Sequence, residues 1–220
     1  MTAMTRRIVL AAAALALAAG PGLAGVPADA VNGDMSLGNP KARVHVVEYA
    51  SASCPHCAHF DEEVFPAFKK KYIDTGRVQF TLKEFLTDPA EVAAAGFLTA
   101  RCGGRAKYFT ILDQVFRSQA QWRDDGKIGQ IITQVGVANG LSVAQVDSCL
   151  TDPAALKALN GRVEASSKDG VNSTPTLRVN GKTVAEPTLA ALDAAIAAAG
   201  KGAPGHAAAH HRAPKKPKRP

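Results

Sequence analysis

Ser53-Cys54-Pro55-His56-Cys57 decides how this chain is read. A β-rich run, Val44-His45-Val46-Val47-Glu48-Tyr49, stands just before it, and a helical pattern begins at Pro55. Two cysteines three apart on a helix lie one turn apart on one face, so their sulfurs can meet. Ser53 suits an N-cap, and Pro55 has the preset φ of a first-turn residue. Cys54 is thereby expected where unpaired N–H groups and the positive end of the helix dipole favour thiolate over thiol. Stabilising the reduced thiolate makes a Cys54–Cys57 disulfide oxidising. The imidazole of His56 is expected to lower the Cys54 pKa further. Cys57, one turn in, should be less exposed. Cys54 is then the residue that forms the mixed disulfide, and Cys57 the one that resolves it.

The competing readings are a structural disulfide and half of a metal site. Cys54, His56, Cys57 and His59 offer nitrogen and sulfur ligands. A structural zinc site usually has a second ligand pair at a distance, and Cys102 and Cys149 are not in a CxxC. Redox chemistry is therefore the preferred reading, and no metal or cofactor is expected.

Composition narrows the partners. The net charge of +7 resembles a nucleic-acid signal, but Lys201, Arg212, Lys215, Lys216, Lys218 and Arg219 supply nearly all of it. Residues 31–200 balance to zero, so the folded part carries no basic face of that kind and no nucleic-acid partner is expected. A hydrophobic content of 46% in 220 residues is enough for one domain with a real core, with room for an insertion.

Residues 1–30 read as an export signal, with Arg6 and Arg7 ahead of an apolar run from Ile8 to Ala19 and cleavage after Ala24 or Ala30. That run is too short to span a bilayer. Export would place the cysteines in an oxidising compartment, the periplasm. Residues 1–30 are therefore set outside the fold, and Asn32 to Arg43 reads as a Gly/Asn/Pro-punctuated lead-in. Arg43 to Ala50 is a buried central strand. Glu48 inside it is either a solvent-facing edge residue or a proton acceptor near Cys57, because a buried carboxylate must be paired or protonated. The cysteine-bearing helix runs toward Ile73, with a kink expected at Pro66. Arg77 to Phe85 alternates as a second strand. Lys83 near its end reads as solvated, with a partnership to Glu48 as the alternative.

From residue 87 to 168 five helices follow without a strand: one opened by Asp88-Pro89 and ended by Gly103-Gly104, then Lys107–Gln119, Lys127–Ala138, a helix opened by the Ser142–Gln145 capping box, and one opened by Asp152-Pro153. Helices between β-containing halves suggest an inserted helical subdomain. With Cys54 and Cys57 paired by spacing, Cys102 and Cys149 remain to form a second disulfide or to stay buried thiols; an exported protein favours the disulfide. Residues 169–200 return to β structure: Thr176–Val179, the turn Asn180-Gly181, Lys182–Val184, and a last helix from Pro187 to Ala199. A cis bond at Thr174–Pro175 would turn Pro175 toward the CxxC, although cis is the minority state of X-Pro bonds. Residues 201–220, including His206, His210 and His211, read as a disordered basic tail.

Strand, Cys54-Pro55-His56-Cys57, helix, strand, helical insertion, Thr174-Pro175, hairpin and final helix together resemble the thioredoxin superfamily. Within it, the chain is similar to the DsbA-like exported thiol:disulfide oxidoreductases over residues 35–200. The resemblance implies an α/β thioredoxin fold with an inserted all-helical subdomain. It implies a cis Pro175 that, with Thr174, helps bind extended substrate beside the cysteines, and a role for Glu48 as the family's buried acid. It also implies oxidation of reduced, unfolded exported proteins and a membrane quinone-linked partner that restores the disulfide. Nothing resembles the separate dimerisation domain that isomerases usually carry, which favours an oxidase; a monomer is expected. Thr174 stands where enterobacterial members have valine and isomerase-type relatives have threonine, so a reductase or isomerase kept reduced is the alternative.

Overall fold

The computed structural model describes residues 25–201. The expected signal segment through residue 24 and the basic tail from residue 202, with its three histidines, lie outside them. After a short helix α1 (Ala28–Val31), five strands form one sheet: β1 (Met35–Gly38), β2 (Val44–Ala50), β3 (Val78–Glu84), β4 (Thr176–Val179) and β5 (Lys182–Thr183), in the order β1-β3-β2-β4-β5. Strands β2 and β3 are parallel; the other neighbours are antiparallel. The apolar run predicted as a central strand is indeed the middle one. Strand β1 falls in the stretch read as a lead-in. It has only Met35 and Leu37 as apolar residues, too short a pattern to register, and it exists because β3 offers it a ladder.

The β2–β3 register sets the site. Val46 lies opposite Phe80, and Glu48 opposite Leu82. Alternation then directs Val44, Val46 and Glu48 to the face that carries Val78, Phe80 and Leu82. The cysteine-bearing helix covers that face. It is a composite: α2 (Pro55–His59), a π-helical turn (Phe60–Val64), α3 (Phe65–Phe68) and a second π turn (Lys69–Ile73). Pro66 has no N–H to donate, and its ring crowds the carbonyl four residues back. The chain answers with a widened turn, in which the Phe65 N–H bonds Phe60 O. Phe65 and Phe68 stack against Phe80, with Phe65 and Phe80 centroids 4.9 Å apart, and so hold the composite helix on the sheet.

The insertion is helical throughout: α4 (Ala90–Cys102), α5 (Gly104–Asp125), α6 (Ile128–Ala138), α7 (Val143–Leu150) and α8 (Pro153–Lys168), before α9 (Leu189–Lys201) closes the fold. The capping box at Ser142 and the Asp152 cap both form. Several boundaries differ from the reading of the sequence: α5 already opens at Gly104, ahead of Lys107, and α9 covers Leu189–Lys201 in place of Pro187 to Ala199. Pro89 occupies the N-cap of α4 after a cis Asp88–Pro89 bond, so the helix opens one residue later and Asp88 does not cap it. Helix α5 continues past Gln119 to Asp125, because Gln119 and Trp122 extend its buried face. Cys102 at the end of α4 and Cys149 in α7 are joined, with Cα atoms 5.9 Å apart.

A buried charge cluster ties the insertion to the sheet. The Glu84 carboxylate accepts from Arg101 Nε at 2.6 Å, Arg162 Nε at 2.7 Å and the Tyr108 hydroxyl at 3.1 Å. Other guanidinium nitrogens reach backwards: Arg101 donates to the carbonyls of Ala30 and Gly33, and Arg162 Nη1 to that of Val31, while Arg162 Nη2 is buried without a partner. Ala30 is fully buried, and the Val26 N–H bonds Asp152 Oδ2. Residues 25–30 are therefore packed into the fold, which accords with cleavage after Ala24, the first of the two expected positions. Two arginines this deep need acceptors, and the carbonyls of this segment are among them.

Candidate active site

Strand β2 ends at Ala50, and a buried loop, Ser51-Ala52-Ser53, carries the chain to Cys54. Cys54 itself, with extended backbone at φ −80° and ψ 121°, is the N-cap of α2, and Pro55 follows in the first turn. Ser53 does not cap the helix as its sequence position suggests. Its hydroxyl donates to Thr87 O at 3.0 Å, within a hydroxyl cluster in which Ser51 Oγ accepts from Thr87 N and Thr87 Oγ1. The loop is held from the insertion too. Gln119 Nε2 donates to Ala52 O at 2.8 Å and Cys54 O at 3.3 Å. Helix α4 approaches so closely that a Cβ on Gly96 would lie 2.8 Å from the Ala52 methyl.

Both active-site cysteines are free thiols in this structure. Cys54 is 5% exposed and Cys57 fully buried. The Cys54 pKa is lowered to about 5, chiefly by the hydrogen bond from Cys57, then by that from Thr174 and by the backbone N–H groups of Cys57 and His56, all acting against partial burial. Burial and the neighbouring charges of Cys54 and Glu48 push Cys57 well up, so it holds its proton. The two sulfurs thus titrate far apart, as the position at a helix start implies. His56 contributes to the lowering through its backbone; its imidazole is exposed and bonds nothing else among the described residues.

Thr174 and Pro175 come in from 120 residues away. Their peptide bond is cis, and the Cys54 thiol donates to Thr174 O at 3.4 Å. The Thr174 Oγ1 hydroxyl is buried without another partner and is the donor available to the Cys54 thiolate. Glu48 is 4% exposed and unpaired, and burial followed by the charges of Asp61 and Cys54 raises its pKa well above the carboxylate range. It is the buried residue of the two readings, not the edge one. Lys83 is not its partner: alternation turns Lys83 to the other face, where its ammonium lies 2.9 Å from Asp169. Among the described residues no three His, Cys, Asp or Glu side chains converge as a group that could hold a metal ion.

Sequence reasoning missed Gln119, Ser51, Thr87 and Asp61. Only Asp61 left a trace: it sits four residues past Cys57, one helical turn along the same face. The others act through contacts that no local pattern encodes.

The sequence matches the thioredoxin family model over residues 30–198. It is 35% identical over 153 residues to a provisionally named protein-disulfide oxidoreductase of Rickettsia typhi, covering 68% of this chain and 56% of that protein, so the chain spans little more than half its relative's length. Among solved structures it is similar to alpha-DsbA1 of Wolbachia pipientis (TM-score 0.66, 26% identity, 76% of this chain and 92% of that one). It is equally similar to a protein-disulfide isomerase from Novosphingobium aromaticivorans (TM-score 0.65, 26% identity, 76% and 97%). With its CxxC at a helix start, its cis-proline and its helical insertion, the chain belongs to the thioredoxin family, among its DsbA-like members.

Proposed function

We propose that the protein is a periplasmic dithiol oxidase that passes the Cys54–Cys57 disulfide to reduced, unfolded exported proteins. A client thiolate attacks Cys54 Sγ, the Cys54–Cys57 bond breaks, and Cys57 leaves as a thiolate that takes a proton from Glu48. The client's second thiol, having lost its proton to solvent, attacks the mixed disulfide, and Cys54 leaves as a thiolate. Two electrons pass from client to enzyme, and a membrane quinone-linked partner takes them on. Thr174 and Pro175 line the position where an extended client would lie, and the exposed imidazole of His56 stands beside it. Export by a signal cleaved after Ala24, rather than after Ala30, keeps the buried Ala30 in the mature chain.

The observation that carries this reading is the Cys54 thiolate, stable to about pH 5 beside a protonated Cys57. A low-pKa thiolate is a good leaving group, and it stabilises the reduced protein over the disulfide. The competing reading, an isomerase kept reduced, is favoured by Thr174 and by the likeness to the protein-disulfide isomerase of Novosphingobium aromaticivorans. The reduction potential separates them. A value near that of strongly oxidising members supports the oxidase, and a value near that of thioredoxin overturns it.

A further inference from the structure

The charges of residues 31–200 cancel in the sequence, but the fold sorts them. Strands β2 and β3 start, β4 ends and the composite helix stops at one end of the sheet, the end remote from Cys54. Lys41 and Arg43 lead into β2 there. Lys69, Lys70 and Lys71 lie in the last turn of the composite helix, and Arg77 immediately precedes β3. Lys182 follows the Asn180-Gly181 turn, and the Asn180 side chain bonds the backbone of Arg43 and His45. The Asn39 side chain ties the β1–β2 loop to the Gly76 carbonyl in the same way. The acids on these elements at this end are Asp74 and Asp193, paired to Lys69 and Lys71. Seven cations against two acids leave a net +5, so the rest of residues 31–200 carries −5. Lys41, Arg43, Lys70, Arg77 and Lys182 are exposed and form no ion pair among the described residues. A zero balance suggested that the folded part has no basic face; the structure has one.

The chain leaves the fold at the same end. Ala195, Ala198 and Ala199 of α9 line one groove with Val179, Asn180 and Lys182. The last residue of α9, Lys201, is exposed, and the sequence beyond it adds Arg212, Lys215, Lys216, Lys218 and Arg219 with no acid. We propose that this end of the protein docks on the anionic surface of a phospholipid bilayer, with the basic tail adding to the same contact. Headgroup phosphates would meet separate ammonium and guanidinium groups spread over several loops and helix ends, a layout that suits a surface better than a single deep site. Each Lys or Arg held near such a surface strengthens partitioning about five-fold. No aromatic ring among the described residues is exposed, so this end offers no platform on which unpaired bases could stack. The seven residues of β2 set the two ends of the sheet about 20 Å apart, more than twice the Debye length of about 8 Å at physiological salt. The acidic remainder is then screened from the bilayer, and Cys54 faces the aqueous side. Docking uses no catalytic group, so it holds whichever way the cysteine pair runs.

The test is flotation of residues 25–220 with vesicles of phosphatidylcholine containing about one-third phosphatidylglycerol. The apolar run Ile8–Ala19 is left out because it would enter lipid by itself. Wild type is compared with a triple variant of the basic end, Lys41→Ala/Lys70→Ala/Lys182→Ala. A control removes equal charge elsewhere, Lys107→Ala/Lys157→Ala/Lys168→Ala. Wild type should bind these vesicles at about 50 mM salt, ignore phosphatidylcholine alone, and come off as salt rises. The basic-end variant should partition about a hundred-fold more weakly, and the control should stay within about three-fold of wild type. Retained peptide oxidation shows that each variant is folded. Ending the chain at Lys201 should weaken binding and leave it sensitive to the basic-end substitutions. Equal losses in both triple variants would overturn the proposal, since net charge alone would then account for binding. So would binding that vanishes with the tail but ignores the basic-end variant, binding to neutral vesicles, or tighter binding to duplex DNA than to the anionic vesicles in the same salt. If the triple variant does not fold, Lys182→Ala alone reads the same effect, with a loss of about five-fold expected.

Discussion

Thr174→Val removes the one side-chain hydroxyl available to the Cys54 thiolate and leaves the backbone and shape nearly unchanged. A hydrogen bond to a charged group contributes about 1.5 kcal/mol, and each pKa unit corresponds to about 1.4 kcal/mol. Taken whole, the substitution lifts the Cys54 pKa by about one unit from its value of about 5. Solvent reaches this sulfur and screens its partners, so about half to all of that is expected. At pH 7 the glutathione equilibrium should shift about three- to ten-fold toward the disulfide, which is about 15–30 mV in potential. The pH dependence gives a second reading of the same quantity. Cys54 is depressed in the folded protein, so its stabilisation of the reduced form is complete above the ordinary thiol pKa and is lost as pH falls through about 5. Cys57 keeps its proton throughout. Two protons therefore accompany two electrons below that point and one above it, and the potential should change by about 59 mV and then about 30 mV per pH unit. In Thr174→Val the break should move up by about half to one unit. Thiolate absorbance and glutathione redox equilibria from pH 4 to 8 measure both. A break that stays in place, or moves down, would refute the assignment of Thr174 as a thiolate donor.

Further outcomes can be measured independently. Replacing Cys102 and Cys149 by alanine removes a closure spanning 47 residues and should cost about 4 kcal/mol in the chain-entropy model, seen as a Tm about 8–16 °C lower with peptide oxidation retained. An unchanged Tm would mean the pair is not bonded in solution. Glu84→Gln leaves Arg101 and Arg162 without their carboxylate and should cost about 3–5 kcal/mol, read as a lower urea midpoint. A loss under about 1 kcal/mol would show that the carbonyls of Ala30, Val31 and Gly33 suffice. Gln119→Ala strands the fully buried Ala52 carbonyl and should destabilise by about 1–3 kcal/mol. It should also slow peptide exchange, because the loop that presents Cys54 loses its anchor to α5; wild-type exchange would show that the loop is held by Thr87 alone.

The sequence by itself determined the order of the elements from β2 onward, the helical insertion and the placing of the two cysteines at a helix start. Those rest on local physics. Two cysteines one turn apart at a helix start form a site before any tertiary contact is made, and the capping box at Ser142 and the turn at Asn180-Gly181 close on neighbouring residues. Glu84 continues the alternation of Val78, Phe80 and Leu82, but its burial became evident only from the sheet and its two arginine partners. What only the tertiary structure decided depends on partners far apart in the chain. The β2–β3 register chose Glu48 over Lys83 as the buried group, Arg101 and Arg162 took the carbonyls of Ala30, Val31 and Gly33, and Gln119 reached the carbonyls of the loop before α2. The π turn that carries Asp61 is likewise a product of packing around Pro66, which fixes that a helix must yield there but not how. Local sequence sets backbone preference within a few residues; where a side chain finds its charge or hydrogen-bond partner is set by which surfaces the folded chain brings together.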